Sequence, residues 1–423
     1  MLGHSEEGGT TADQSIPRRR EYLFLLASRV VRSFAMSIVT VVLPLLVAER
    51  GLRPTAAGLV FTFASIGGAV ILLSAGFLGD RYGRRPVLLA IAALAGIATV
   101  GFGLASNYLL LLLFAFIGAL ARGGVAGSGG AWGPFAPVEQ PLIAEVVPRS
   151  ARNEVFARMS LLGVLAGALG SLVAALPDVL QGVGITRAGG DAITLVLAGL
   201  AQLAAGLLVL PVREAPAVPA ARIEGRRLSV KARRAVWRLS LTNSLNGFGA
   251  GFLGPFLTYW LHVRFGVGAA QLAMLFTVTN LVTALPYLGA ARLAERVGSI
   301  PAILWTRLLG AAFTALLPFT PTFLWASIVY VLRMAFQMVA NPIRQSFVLD
   351  LVEPEERGRL SSASSLPAQV TTSISPYLGG WLMESLDLMA LPLELASAFQ
   401  AANALLFAHF FRRAPDPAAS KTD

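Results

Sequence analysis

Long charge-free runs separated by short basic turns constrain this chain more than anything else in it. Residues 54–79 carry no charged side chain, and neither do residues 86–121. Between them lies a polar island, Gly76-Phe77-Leu78-Gly79-Asp80-Arg81-Tyr82-Gly83-Arg84-Arg85-Pro86, with one aspartate and three arginines. A helix of about 20 apolar residues spans the ~30 Å hydrocarbon core of a bilayer. Runs of that kind recur at about 21–49, 54–79, 86–105, 107–147, 152–176, 191–212, 235–263, 268–294, 300–319, 321–352, 358–386 and 389–411. The chain is 55% hydrophobic and only 13% charged, against about 25% charged in soluble domains. It is therefore expected to be an all-α membrane protein with twelve transmembrane helices. A β-barrel would show alternating segments of ~10 residues instead.

The charges between the runs give the chain an orientation. With loops 2–3, 4–5, 8–9 and 10–11, the central linker and both tails on one side, that side holds twenty-four Lys and Arg and the other only Arg50, Arg53, Arg187 and Arg264. Basic residues stay on the cytoplasmic side, so both termini are expected in the cytoplasm and the chain in the cytoplasmic (inner) membrane. The polar start, Met1 to Arg20, does not resemble a cleaved signal peptide, because the apolar run after it is far longer than a signal core. The net charge of +11 sits in these loops and does not point to nucleic acid. With no cysteine and three scattered histidines, His4, His262 and His409, disulfides, thiolate chemistry and a metal-ligand set are excluded. No nucleophile–base constellation or nucleotide motif suggests an enzyme, and no cofactor is expected.

The chain repeats itself. An offset of 215 residues lays Gly51 on Gly266, Asp80 on Glu295, Arg81 on Arg296, Gly83 on Gly298 and Pro86 on Pro301. Later the offset falls to 205, where Gln140 meets Gln345, Glu145 meets Asp350 and Arg152 meets Arg357. This predicts two six-helix bundles, 21–212 and 235–412, related by a pseudo-twofold repeat and flanked by tails 1–20 and 413–423. A linker, 213–234, joins them in a stretch rich in arginine and proline. Such a duplication is a transporter architecture, with a site at the interface near the midplane.

The segment Gly76 to Pro86 resembles the signature loop of the major facilitator superfamily, G-x-L-x-D-R-x-G-R-R. A second, weaker copy is Leu293-Ala294-Glu295-Arg296-Val297-Gly298. The stretch Ile143 to Arg152, with Glu145, is similar to that family's loop after the fourth helix, and Arg122 to its fourth-helix arginine, although the spacing after Arg122 departs from the pattern. Pro376-Tyr377-Leu378-Gly379-Gly380 resembles a proton-antiporter element, Gly-Pro-x-x-Gly-Gly. In the family that element belongs to helix five, which here has Gly163, Gly167 and Gly170 but no proline. The resemblance implies the twelve-helix fold and a gating role for Gly76, Asp80, Arg81, Gly83, Arg84, Arg85, Glu145 and Arg152, and for Glu295, Arg296, Gly298, Asp350 and Arg357 in the second half. It implies that the Asp80 carboxylate latches the two bundles together in the outward-facing state.

Six arginines lie deep in the apolar runs: Arg29, Arg32, Arg122, Arg307, Arg333 and Arg344. Charges at such depth are costly unless paired or facing water. Arg29 and Arg32, three apart, share one helical face. They either line a cavity and meet an anion or pair with a carboxylate such as Glu139 or Glu145. Glu139 and Arg344 occupy matching positions of the repeat, and are expected to form a cytoplasmic gate that closes when they pair and opens when they part. The competing reading is that each is satisfied within its own bundle. Glu139 is also the candidate proton carrier, with Arg122 and Arg333 as further charge partners. Arg29, Arg32, Trp132, Asn243, Asn246, Tyr259, Asn280, Arg307, Gln337 and Asn341 are candidates to line the cavity, though polar residues at such positions also tie helix to helix.

The function expected is secondary active transport of a small organic molecule by alternating access, as proton-coupled efflux, with a cationic interior that favours an anionic group. The alternatives are a facilitative or proton-symport importer of a metabolite, or a non-transporting receptor or scaffold on the same fold. The partners expected are a small-molecule substrate, the lipid bilayer and protons, the chain acting as a monomer.

Overall fold

The computed structural model describes residues 18–118, 135–148, 152–214, 229–284, 286–349, 351–352 and 356–412. Their regular structure is helical throughout. The first half contains α1 (Arg19–Glu49), α2 (Pro54–Tyr82), α3 (Arg84–Leu104), α4 (Tyr108–Gly118), α5 (Ala136–Val146), α6 (Arg152–Val173), the short α7 (Leu176–Gly182) and α8 (Arg187–Leu207). The second contains α9 (Val230–Phe265), α10 (Ala269–Ala284), α11 (Pro286–Val297), α12 (Ser299–Leu316), α13 (Phe323–Leu349), α14 (Arg357–Leu386) and α15 (Leu391–Phe411). Eight helical stretches among the described residues are long and apolar enough to cross a membrane. Helices α9 and α14, of 36 and 30 residues, are long enough but carry many Ser, Thr and Asn, and they pack against each other.

The described residues of the fourth and eighth spans form two helical stretches each. α4 and α5 form the ends of the fourth, and residues 119–134 between them, with Arg122 and Trp132, lie outside the described residues. Residue 285, between α10 and α11 of the eighth span, lies outside the described residues. Counted this way, six spans stand in each half, as the repeat requires. The repeat also survives in backbone conformation. Gly51 and Gly266 both have φ of 66°, while Gly83 and Gly298 have 96° and 88°. These matched turns need positive φ, which glycine adopts without a side-chain penalty.

Several boundaries differ from the sequence expectation. Helix α2 continues through Asp80 and Arg81 to Tyr82, so those charges ride on its last turn and Gly83 alone makes the corner. Helix α8 begins at Arg187, capped by Thr186, whose hydroxyl accepts from Gly189 N. Helix α9 begins at Val230, because the Ser229 hydroxyl caps it by accepting from Ala232 N at 3.1 Å. Lys231, Arg233 and Arg234 thus stand on the first turns of α9, where the sequence suggested a tether.

The two halves touch through α2 against α14, α6 against α10, and α1 against α9. The end bearing Gly83 and Gly298 is termed the basic end here, and the opposite one the far end. At the far end one hydrophobic core draws on both halves, with Val42, Leu46, Phe61 and Leu195 beside Phe256, Trp260, Leu272 and Met383. At the basic end there are two cores among the described residues, each built from one half only. One holds Tyr22, Leu88, Val138, Leu142 and Met159; the other holds Leu239, Ile303, Phe347, Leu360 and Phe407. The halves therefore share an interior at one end and part at the other.

Small residues make the far-end seam. A Cβ on Gly58 would overlap the Pro376 carbonyl oxygen, and one on Gly380 would overlap that of Pro54. The Pro376–Gly380 element thus serves close approach of α14 to α2. Beside it, Tyr377 N donates to Thr62 Oγ1 at 2.9 Å. Along α6 and α10, Thr277 Oγ1 donates to the Ala168 carbonyl at 3.2 Å, and Asn280 Nδ2 donates to Ser171 Oγ at 3.2 Å. Asp178 Oδ2 accepts from Ala270 N at 2.6 Å, a carboxylate on a helix N-terminus.

Replacing Gly380 by Val is expected to force this seam apart, or to cost about 1–3 kcal/mol if it stays shut. The chain has no cysteine of its own, so a Thr62→Cys reporter is clean. Its labelling by a membrane-impermeant maleimide should rise several-fold in the Gly380→Val background. Unchanged labelling together with unchanged melting would show that the seam does not hold the halves together.

Candidate functional site

Polar chemistry collects in three places between the far-end core and the basic end. The first is the turn at Gly83. Here Arg84 forms ion pairs with Glu145 on α5 and, at 3.6 Å, with Asp80. Arg85 donates to the Leu210 carbonyl. Arg152 donates to the Ala144 carbonyl at 2.6 Å and the Val147 carbonyl at 3.3 Å, so a cation sits on the carbonyl end of α5. Glu214 accepts from Arg84 N at 2.6 Å and from Arg85 N at 3.0 Å, capping α3 with a carboxylate. Sequence reasoning missed Glu214; its only signal was an acid in a strongly basic stretch. Gly76 approaches Pro137 of α5. In this conformation the Asp80 ion pair lies within its own half. The second copy is plainer: Glu295 and Arg296 are exposed on α11. Asp350 and the Arg357 side chain lie outside the described residues.

The second place is the interior of the first half. Glu139, on the first turn of α5, is 2% exposed, and Arg29 and Arg32 on α1 are 1% and 4% exposed. Arg32 Nη2 donates to both Glu139 oxygens at 2.7 Å, and Arg29 Nη1 stands 3.8 Å from Glu139 Oε2. The Arg32 guanidinium also lies 4.3 Å from the centroid of the Phe135 ring, a favourable cation–π distance. One carboxylate thus serves two guanidiniums, and the three-residue spacing of Arg29 and Arg32 on one face of α1 makes this possible. Of the two carboxylates sequence offered as partners, Glu139 takes the arginines while Glu145 goes to Arg84.

The third place is the matching region of the second half. Arg344 on α13 donates through Nη2 to Asn243 Oδ1, and its guanidinium lies 5.6 Å from the Phe407 ring centroid. Arg307 on α12, 5% exposed, donates through Nη1 to Asn246 Oδ1 at 2.9 Å and to Asn403 Oδ1 at 3.1 Å. The asparagine amides are used elsewhere, Asn243 on the Ser364 carbonyl at 2.8 Å and Asn403 on the Thr242 carbonyl. Asn403 escaped sequence reasoning; it is one of several polar residues of the twelfth span, with Ser397 and Gln400. Glu139 and Arg344 are not in contact in this conformation; each bonds within its own half, Glu139 to two guanidiniums and Arg344 to a neutral amide.

The remaining candidates are dispersed. Arg333 is buried on α13 of the second half, with Nε donating to Thr314 Oγ1 at 3.2 Å and the Tyr330 ring 5.8 Å away. Tyr259 packs against Phe256 in the far-end core, Asn280 stitches the seam, and Gln337 lies beside Gly310. Asn341 approaches Met338 Sδ at 3.8 Å. Arg122 and Trp132 fall outside the described residues.

Two six-span halves with charged interiors, sharing a core at one end and parted at the other, define a membrane transporter. The Major Facilitator Superfamily model matches residues 25–242 and again 239–423, and the chain belongs to that superfamily. It is a transporter and not an enzyme. It is 26% identical over 387 residues to the multidrug resistance protein MdtG of Yersinia enterocolitica, covering 88% of each chain. It is 23% identical over 399 residues to an uncharacterized membrane protein of Saccharomyces cerevisiae, covering 86% of this chain and 88% of that one. Among solved structures, a bacterial homologue of the iron transporter ferroportin in an inward-facing state matches with a TM-score of 0.71 at 15% identity, over 93% of this chain and 99% of that one. The nucleoside transporter NupG matches with a TM-score of 0.68 at 13% identity, over the same shares. At these identities the likeness is one of fold.

Replacing Glu139 by Gln leaves Arg29 and Arg32 without their shared carboxylate. The loss is expected to be about 3 kcal/mol, the range for breaking a buried pair, read as a lower melting temperature in detergent. Replacing Glu214 by Ala removes the cap of α3 and should cost about 1 kcal/mol, without the larger collapse expected of Glu139→Gln.

Proposed function

We propose that this transporter carries a small organic molecule with an anionic group across the cytoplasmic membrane by alternating access, as proton-coupled efflux. The observation that carries the reading is the division of the core, one at the far end and two at the basic end. Halves built this way rock about the far-end seam, and a cleft between them opens at the basic end. The positive-inside rule puts the basic end and both termini in the cytoplasm, which makes this conformation inward-facing. Efflux is supported by the named activity of a relative, a multidrug resistance protein. An anionic substrate is supported by the charge balance, since Arg307, Arg333 and Arg344 bond only to neutral groups among the described residues.

Closing the basic end brings α5 and α13 together, and Glu139 and Arg344 are the charges that then meet. Glu139 then exchanges the guanidiniums of Arg29 and Arg32 for that of Arg344. Asp80, Arg84 and Glu145, paired on the surface while the cleft is open, are the groups available to latch it from outside. Protonation of Glu139 weakens its hold on Arg29 and Arg32 and frees the first half to move, which couples proton passage to rocking.

The test is a charge swap read as pH-gradient-driven flux of organic anions in proteoliposomes. Glu139→Arg and Arg344→Glu alone should each reduce flux by about tenfold or more, as expected for isolating a buried charge. The double variant should recover to within about threefold of the parent, the signature of direct coupling in a mutant cycle. A double variant no better than either single one would remove the gate. Parent flux indifferent to the pH gradient would remove the proton.

A further inference from the structure

The second half holds two guanidiniums, Arg307 and Arg344, that no carboxylate pairs with among the described residues. In the first half, a helix-one arginine pair and the Glu139 carboxylate complete one another. In the second half the residues matching Arg29 and Arg32 are Ser244 and Gly247, one position after Asn243 and Asn246 of α9, and the residue matching Glu139 is Arg344. Asn243 and Asn246 are three apart on α9, so they are neighbours on one helix face, ~5–6 Å apart at Cβ. Each holds one guanidinium, Arg344 and Arg307 respectively, and the two cations are therefore side by side. Three asparagine oxygens face them and no carboxylate pairs with either among the described residues. Both Nε atoms, of Arg307 and of Arg344, are buried without a hydrogen-bond acceptor. Neutral amides do not offset two desolvated charges, and an unmatched pair of like charges is costly in hydrocarbon. Guanidinium forks are matched by planar or tetrahedral oxyanions, which accept two donors at once. Arg344, Asn243 and Asn246 are only half-buried, on the side of the far-end core where the halves part, so an anion has a way in.

We propose that Arg307 and Arg344, framed by Asn243, Asn246 and Asn403, are the seat for the carboxylate, phosphonate or sulfonate group of the transported molecule. The pseudo-symmetric partner of Glu139 is then supplied by the substrate. This rests on the transport reading above for its second part, the movement of the bound anion, and on the geometry alone for its first.

Two measurements on the purified full chain test it. In the first, phenylphosphonate, benzoate, inorganic phosphate and the neutral analogue benzyl alcohol are compared at constant ionic strength. Phenylphosphonate or benzoate well above its Kd should raise the melting temperature by about 4 °C or more, and benzyl alcohol should not. The rise should vanish in Arg307→Met and Arg344→Met and persist in part in Arg344→Lys. In low salt without ligand, Arg344→Met should melt at or above the parent, because it removes an uncompensated charge. A large loss of stability there would make the arginine a structural strut and overturn the seat. Protection by inorganic phosphate but not by the organic anions, or protection that survives both Met variants, would overturn it as well. In the second, radiolabelled phenylphosphonate or benzoate, whichever protects, is followed in proteoliposome exchange. Arg-dependent binding without exchange would sink the transport reading and leave the anion seat standing; absence of binding would sink the seat whatever the flux.

Discussion

The architecture depends on a contact between backbones at the far end. Gly58 and Gly380 let α2 and α14 approach until main chain meets main chain. Hydrocarbon gives no hydrophobic drive for helices to associate, so close packing and interhelical hydrogen bonds have to hold them. The Thr62, Ala168 and Ser171 contacts lie along the same seam. With the halves held at one end, the separate basic-end cores can each remain intact while the gap between them changes. Two packed blocks joined by a seam move by rocking, because close-packed interiors do not deform continuously.

The second constraint is the cost of charge at depth, and the two halves meet it differently. The first half folds its own counter-ion inward, with Glu139 between Arg29 and Arg32 and Phe135 under one of them. In the second, Arg307 and Arg344 bond only to dipoles among the described residues. One duplicated scaffold thus carries a closed charge set on one side and an open one on the other.

The basic-end turn shows how much a motif conveys and where it stops. Its arginines marked a corner between two helices, and Gly83 makes that corner. Its carboxylate partners were less evident. Glu145 takes Arg84 from across the half, and Glu214, more than a hundred residues further along the chain, caps α3. Neither spacing nor periodicity joins Glu214 to Arg84, because the contact exists only once α8 has returned beside α3.

Sequence alone determined the fold class, a duplicated set of membrane-length helices, since the bilayer sets their length and water-seeking arginines mark their ends. It determined the repeat as well, down to glycines that share a backbone conformation in both halves. It also singled out the residues too costly to bury idly, Arg29, Arg32, Glu139, Arg307 and Arg344. Only the tertiary structure decided which of them pair. Glu139 had Arg29, Arg32, Arg122 and Arg344 within plausible reach along the chain, and a charge at depth takes whichever partner the packing of its helix brings within ~4 Å. Here that is the pair on α1. Arg344 turns instead to an asparagine of α9, and among the described residues no carboxylate of the second half pairs with it or with Arg307.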